Sequence, residues 1–266
     1  MYTASRPRVL LAQQLAWRLT RALGARVLPG TDELLRIEGW DELTEAWRET
    51  LGGFDSVSAY HRKDTRRGAT LLGCRGGRAV ALVKVRDDPS GPRREQDLLA
   101  HLARRPVPGV RVPQPLGWGS TASGLTWAAQ EFVFERPHRP VHALADTTLA
   151  ALTASLTEAF DTMGSAAPTP GWVPAHHDLT PWNLRRDHRG AVWLFDWEDA
   201  THAPAGADRD YLAITSAALT GGPAPTIDED NRRYWADRVA GRVAAGHELP
   251  INRDMLRLLG DGRVGD

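Results

Sequence analysis

The sequence predicts an α+β chain: a five-stranded antiparallel sheet carrying one helix, then a mostly helical half, with a helical extension ahead of both. Three observations predict it. Residues 56–60, 70–74 and 78–85 are short β-forming runs, and Gly76-Gly77 is a two-residue hairpin signal between the last two. One helical pattern, 93–104, interrupts the strands before two more runs, 114–117 and 125–134. After residue 143 the apolar spacing is helical, apart from one stretch at 175–200.

Taken in order, residues 7–24 form an amphipathic pattern stopped by Gly24, and 41–51 a second one, begun by Asp41 and ended by Gly52-Gly53. The link 62–68 is short, Arg-rich and holds a single Gly. Pro89-Ser90-Gly91-Pro92 reads as a break before helix 93–104, and 119–124 as a turn between the last two strands. Helix 143–163 is followed by a Pro/Gly-rich loop at 167–174. Residues 175–200 read as a loop and hairpin, and 208–219, 228–245 and 253–259 as helices. The expected units are 1–53, 54–134 and 135–266, with the last boundary in the Arg/Pro-rich stretch at 135–140.

Composition bounds the function. The 266 residues suffice for one large domain or two lobes. The 33 basic and 33 acidic residues balance, so no global charge points to nucleic acid or a membrane surface. No apolar run reaches the roughly 18 residues of a membrane span, and the N-terminus has no signal-peptide pattern. One cysteine, Cys74, excludes an internal disulfide framework and fits a reducing cytoplasm; its apolar neighbours make it a packing residue. Residues 1–139 carry 22 basic and 15 acidic residues, and 140–266 carry 11 and 18. A basic half suits a polyanionic nucleotide and an acidic half a cationic acceptor, although solvated surface of segregated sign gives the same pattern. All basic residues are Arg except Lys63 and Lys84. Lys in an apolar strand of so Arg-rich a chain points to a site that needs a compact ammonium.

The chemistry concentrates in His176-His177-Asp178-Leu179-Thr180-Pro181-Trp182-Asn183, an H-x-D-x-x-x-x-N frame, and in Asp196, which closes an apolar run 13 residues after Asn183. Phosphoryl transfer needs one carboxylate to orient and deprotonate an acceptor hydroxyl, and an amide oxygen plus a second carboxylate to hold Mg²⁺ against nucleotide phosphates. Asp178 takes the first role; Asn183 and Asp196 take the second, with Glu198 as a further metal-ligand candidate. The spacing places Asp178 and Asn183 on opposite sides of a phosphate-sized gap. Each residue alone is ordinary turn chemistry. Lys84 lies in a strand apolar on both faces and requires a counter-charge. Glu95, near the start of the next helix, is the partner that would hold it against the α/β-phosphates. His176 reads as a loop-packing residue and His177 as a variable loop position.

With these residues assembled, the chain resembles the aminoglycoside phosphotransferase and choline kinase-like family, from about residue 60 to 219. His176-His177-Asp178-Leu179-Thr180-Pro181-Trp182-Asn183 is similar to the family's H-G-D-x-x-P-x-N loop, with His177 where Gly is usual. Phe195-Asp196-Trp197-Glu198 is similar to its I-D-W-E metal motif, and Val112-Pro113-Gln114-Pro115-Leu116-Gly117-Trp118 to its V-P-x-x-L-G-W strand entry. Asp210-Tyr211-Leu212-Ala213 resembles the D-L-A helix, whose Asp braces the catalytic loop. The resemblance implies a two-lobed protein-kinase-like fold, ATP (or GTP) and Mg²⁺, and a small-molecule hydroxyl acceptor. It also implies a hinge at 130–133 that pairs with adenine through its backbone, placing Glu131 and Val133 at the nucleotide, and His176 and Asp210 as supports of the loop. Only about 43 residues separate Val133 from His176, where the family often inserts helices that wall the acceptor pocket. The expected acceptor site is therefore open, or built partly from the N-terminal helices.

Two rivals remain at this level. A protein kinase needs room for a peptide-docking segment, but Asp210 follows Asp196 by 14 residues with no A-P-E-like stretch between. An inactive nucleotide-binding scaffold is disfavoured because Lys84, Glu95, Asp178, Asn183 and Asp196 are all present.

Overall fold

In the computed structural model, the described residues are 39–60, 68–133, 138–246 and 250–260, with 11, 12, 14, 15 and 18. The expected helix at 7–24 and the basic link at 62–68 lie almost wholly outside them. No described helix is long and apolar enough to cross a membrane.

The first half is a sheet with a helix on each face. Strands β1 (Ser56–Tyr60), β2 (Gly68–Arg75), β3 (Arg78–Arg86), β4 (Pro115–Ser120) and β5 (Thr126–Glu131) form an antiparallel sheet in the order β1-β2-β3-β5-β4. Gly76 and Gly77 take φ of 56° and 72°, the left-handed pair that a tight hairpin requires. Helix α1 (Trp40–Leu51) ends at Gly52, also left-handed at φ 75°. It begins at Trp40, one residue before Asp41, which sits in its first turn. Its Leu43 and Trp47 enter the same core as Leu71, Val83, Val85, Trp127 and Ala129 from one face of the sheet. Residues 40–51 thus pack as part of this lobe.

Helix α2 (Ser90–Arg104) starts three residues earlier than the Pro89–Pro92 break predicts. Gly91 and Pro92 occupy its first turn, where a missing N–H costs nothing. Asp88 accepts hydrogen bonds from the Ser90 N–H (2.9 Å) and Oγ (2.8 Å) just ahead of it. Leu98, Leu99 and Leu102 of α2 belong to the core of the second lobe, packing with Leu152, Leu156, Phe160, Leu179, Leu184, Leu194 and Trp197. One helix therefore carries Glu95 on a lobe-spanning element.

The second lobe holds α3 (Asp146–Thr162) and three helices α4 (Ala207–Thr220), α5 (Glu229–Ala244) and α6 (Pro250–Leu259), the last three sharing a core around Tyr211, Ile214, Trp235 and Met255. The short strands β6 (Arg139–Pro140), β8 (Leu184–Arg186) and β9 (Val192–Leu194) form one small sheet. The expected loop at 167–174 ends instead in a strand, β7 (Trp172–Ala175), paired antiparallel with β10 (Thr201–Pro204). These two ladders bracket residues 176–183 and 195–200 from both ends and hold them face to face.

Candidate active site

Four elements converge where the lobes meet. Lys84 comes from β3, Glu95 from α2, Asp178 and Asn183 from the loop after β7, and Asp196 and Glu198 from the turn after β9. The Phe195 N–H donates to the Asn183 carbonyl (3.0 Å), which sets Asp196 beside the catalytic-type loop. Asp196 adopts φ 67°, a left-handed conformation uncommon for a non-glycine residue and enriched at functional turns.

Lys84 is 5% exposed and Glu95 1%. The Lys84 ammonium donates to Glu95 Oε1 (2.7 Å) and Asp196 Oδ1 (2.7 Å), and Glu198 Oε1 lies at 2.8 Å. Burial works against the charge on Lys84, but Asp196, Glu198 and Glu95 outweigh it and raise its pKa. The Lys84–Glu95 pairing expected from sequence is made. Glu198 also meets a second cation. Both its oxygens are engaged by the Arg86 guanidinium, Nε to Oε2 (3.1 Å) and Nη2 to Oε1 (2.8 Å). Burial opposes its ionisation, yet Lys84 and Arg86 hold its pKa below the ordinary value. Its carboxylate thus meets two cations of the first lobe.

Asp178 and Asn183 do not straddle a gap. The Asn183 Nδ2 donates to the Asp178 Oδ2 (2.6 Å) and carbonyl (3.0 Å). The cause is local: Asn183 and Leu184 N–H groups both return to the Thr180 carbonyl (3.0 and 2.8 Å), so the loop folds back on itself after Pro181. With Nδ2 so used, the amide oxygen of Asn183 is the group left for a cation. Burial pushes the Asp178 carboxyl up to about 7; Arg242 opposes this, and Asp196 and Asp199 add to it.

The two histidines of the frame are both neutral packing groups. His176 is fully buried; its Nε2 sits 3.0 Å from the Phe195 carbonyl while Nδ1 accepts the Asp178 N–H at 3.2 Å. That pattern needs the neutral tautomer with the proton on Nε2, and burial lowers its pKa to about 4. His176 thus joins the Asp178 backbone to the Phe195 carbonyl. His177 has φ 67°, which accounts for the Gly that the resembled motif carries there. Its ring stacks on Trp235 and its Nε2 lies 2.7 Å from the Tyr234 hydroxyl, so it is a fixed core group rather than a variable loop position.

The brace of the loop is Asp208, not Asp210. The Asp208 carboxylate accepts the backbone N–H groups of His176 (2.7 Å) and His177 (2.8 Å). Burial raises its pKa to about 6, opposed by those two bonds. Asp210, two residues on and therefore about 200° around α4, faces away. It accepts from Asn231 Nδ2 (2.8 Å) and pairs with Arg209. Sequence reasoning also missed Arg86 and Arg242. Arg242 donates to the Tyr211 hydroxyl (2.6 Å) and is the cation that opposes the Asp178 shift. Nothing local in an Arg-rich sequence singles out either.

At the hinge, the Glu131 N–H donates to the Gln114 carbonyl (2.9 Å) and its carboxylate accepts the Gln114 N–H (3.1 Å); the Phe132 N–H donates to Val80 (3.0 Å). Glu131 therefore spends its N–H and side chain inside the lobe, and Val133 follows half-buried. Gln130 pairs with Leu82, and Ala128 with Lys84, so the Gln130 side chain shares the Lys84 face of the sheet. Its amide oxygen is buried without a hydrogen-bond partner among the described residues. A cleft of about 490 Å³ opens beside the ion cluster, lined by Arg86, Arg94, His177, Glu198, Asp199 and Arg238 among others.

No family model and no curated protein matches this sequence. Solved structures do. A point mutant of aminoglycoside 2'-phosphotransferase-IIIa in its GDP complex superposes with TM-score 0.54 at 13% identity, over 83% of this chain and 96% of that one. The fold is that of an aminoglycoside phosphotransferase. The wild-type enzyme's GDP complex gives TM-score 0.51 at 12% identity, over 85% of this chain and 98% of that one. At this identity the likeness is one of fold, and it extends through both lobes.

Proposed function

We propose that this chain is a small-molecule O-phosphotransferase of the aminoglycoside phosphotransferase type, moving the γ-phosphoryl group of ATP or GTP to a hydroxyl of a polar acceptor. One observation carries the reading: the buried Lys84–Glu95 pair meets Asp196 at 2.7 Å across the lobes, with the Asp178–Asn183 pair on the adjoining loop. The fold shared with GDP-bound enzymes supports a nucleotide at this lobe junction. The orphaned Gln130 oxygen on the Lys84 face is a buried acceptor that the exocyclic amine of a base would satisfy.

In this reading Lys84, held by Glu95, presents a point charge to the phosphates. Asp178 accepts the acceptor hydroxyl's proton; a carboxyl raised to about 7 is poised for that near neutral pH. Asn183 bonds Asp178 and so fixes the carboxylate's direction. The donor set fits Mg²⁺, a hard cation normally held by one or two carboxylates plus phosphate. Asp196 and the Asn183 oxygen would hold it, and its chemistry there is to neutralise phosphate charge. His176 and Asp208 keep the loop backbone in place. The acceptor class is a hydroxyl on an aminoglycoside, a peptide antibiotic, an amino sugar or an amino alcohol.

A nucleotide-consumption screen of the purified chain against such acceptors, with ATP and with GTP, tests the proposal. Mg²⁺-dependent turnover of at least one acceptor, lost in Asp178→Asn, is the expected result. Tight nucleotide binding with no turnover on any acceptor would favour the inactive scaffold instead.

A further inference from the structure

We infer that Arg86 is a positioning residue that releases Lys84 for the nucleotide by taking Glu198 away from it; the inference rests on the phosphotransferase reading. The cluster at the lobe junction contains three carboxylates, Glu95, Asp196 and Glu198, around one ammonium, each within 2.8 Å of it. An ammonium has three N–H donors, so in this arrangement Lys84 has none left for a phosphate. A buried lysine trapped by three anions is a poor phosphate ligand unless one of them is drawn off.

Arg86 is built to do so. It is 7% exposed, two residues beyond Lys84 on β3, and grips Glu198 side-on through Nε and Nη2. Its Nη1 donates to the Ala69 (3.0 Å) and Val85 (2.9 Å) carbonyls, which fixes the guanidinium to the sheet. Glu198 Oε1 lies 2.8 Å from Lys84 Nζ and 2.8 Å from Arg86 Nη2. The two cations share one oxygen. The bidentate fork is the stronger partner for a carboxylate, so Glu198 stays with Arg86 when Lys84 turns to phosphate and Asp196 to the metal. Glu198 is accordingly an anchor between β3 and the turn after β9. It is not a metal ligand.

The test is nucleotide binding by calorimetry, with nucleotide KM and kcat, in Arg86→Met, Arg86→Lys, Glu198→Met and the double variant Arg86→Met/Glu198→Met. At metal sites, losing a residue that orients a liganding group costs about 10–100-fold in affinity or activity, and the same range is expected here. Arg86→Met is expected to weaken nucleotide by that factor, with KM rising far more than kcat falls. Arg86→Lys, which keeps the charge without the fork, should fall between. Glu198→Met should bind nucleotide at least as tightly as the wild type. The double variant should recover most of the loss, because Lys84 is then free of Glu198 altogether. A melting temperature for each protein separates this from mere destabilisation: lower stability with unchanged nucleotide affinity overturns the inference. So does a double variant no better than Arg86→Met, which would mean that Glu198 itself meets the metal or nucleotide. The double variant removes one cation and one anion together and so adds no uncompensated buried charge, which keeps the test open if Arg86→Met does not fold. Wild-type protein that binds no nucleotide would bring down the phosphotransferase reading and this inference together. Wild-type binding matched by Arg86→Met would bring down this inference alone.

Discussion

Asp178→Asn should make the protein catalytically poor and, at alkaline pH, more stable. Loss of a general base costs about 10²–10⁴-fold in rate. The stability effect follows from the environment of the carboxyl, which burial raises from 3.8 to about 7. Folding then favours the protonated form. Between about pH 4 and pH 7 the folded chain holds a proton that the unfolded chain has lost, so stability declines as pH rises through that window and levels off above it. At about 1.4 kcal/mol per pH unit, the full penalty is at most about 4 kcal/mol. Asp178 retains some exposure, so about 2 kcal/mol is the better expectation, still in the range of that constant. For a chain of this size that corresponds to roughly 4–8 °C in melting temperature. Asn keeps a side-chain oxygen for Asn183 Nδ2 and carries no charge. Thermal melts of both proteins at pH 4, 6 and 8 should show a difference near zero at pH 4, growing to its full value by pH 8 in favour of the variant. In wild type, kcat should rise with pH through about 7. A variant less stable than wild type at pH 8, or one with near-normal turnover, would refute the placement of Asp178 as a buried base.

Other perturbations separate roles that the geometry assigns. Lys84→Met leaves three buried carboxylates with only Arg86, and removing one partner of such a network costs roughly 3–5 kcal/mol; Lys84→Arg should instead retain most of the stability and lose nucleotide affinity, read by melts and calorimetry. If nucleotide titrations are unaffected in a folded Lys84→Arg protein, Lys84 serves only the fold. Asp208→Ala releases the His176 and His177 N–H groups and should lower kcat with nucleotide affinity retained, whereas Asp210→Ala should lower the melting temperature through Asn231; steady-state kinetics and melts on the pair would show the reverse if Asp210 were the brace. Nucleotide and Mg²⁺ should tighten one another by the same factor, and calorimetry should find that coupling abolished in Asp196→Ala and largely kept in Glu198→Ala.

Much of this site was legible because its signals are local. Gly76-Gly77 demanded left-handed backbone, and φ values of 56° and 72° supply it. Lys84 stood out against a nearly Lys-free composition, and its partner Glu95 follows on the next helix. What was not legible depends on which way an element faces. Asp208 and Asp210 lie in one Asp-Arg-Asp stretch, and only the docking of α4 beneath the loop decides that Asp208 reaches the His176 and His177 N–H groups. Pro174 argued for loop, yet Trp172–Ala175 pairs with a strand some thirty residues away, a non-local partner that no local pattern announces. The Asp178–Asn183 contact escaped the spacing argument because spacing does not encode the Thr180-centred turn that closes the loop.

The opposite charges of the two halves of the sequence acquire a specific meaning at the lobe junction. Lys84 and Arg86 come from the basic half; Asp196 and Glu198 come from the acidic half, and every ion pair between these two sets crosses from one lobe to the other. Part of the segregation that suggested a cationic acceptor therefore serves attraction between the lobes. The same pairs set the terms for ligand binding. If, as proposed, a metal-bound nucleotide drew Lys84 to phosphate and Asp196 to the cation, the 2.7 Å contact between them would open. Arg86–Glu198 and the packing of α2 into the second lobe's core then hold the cleft together. In this reading the ligand replaces the pairs that Lys84 makes with Asp196 and Glu198 and spares Arg86–Glu198, so the lobes keep their register while Lys84 is freed for phosphate and Asp196 for the cation.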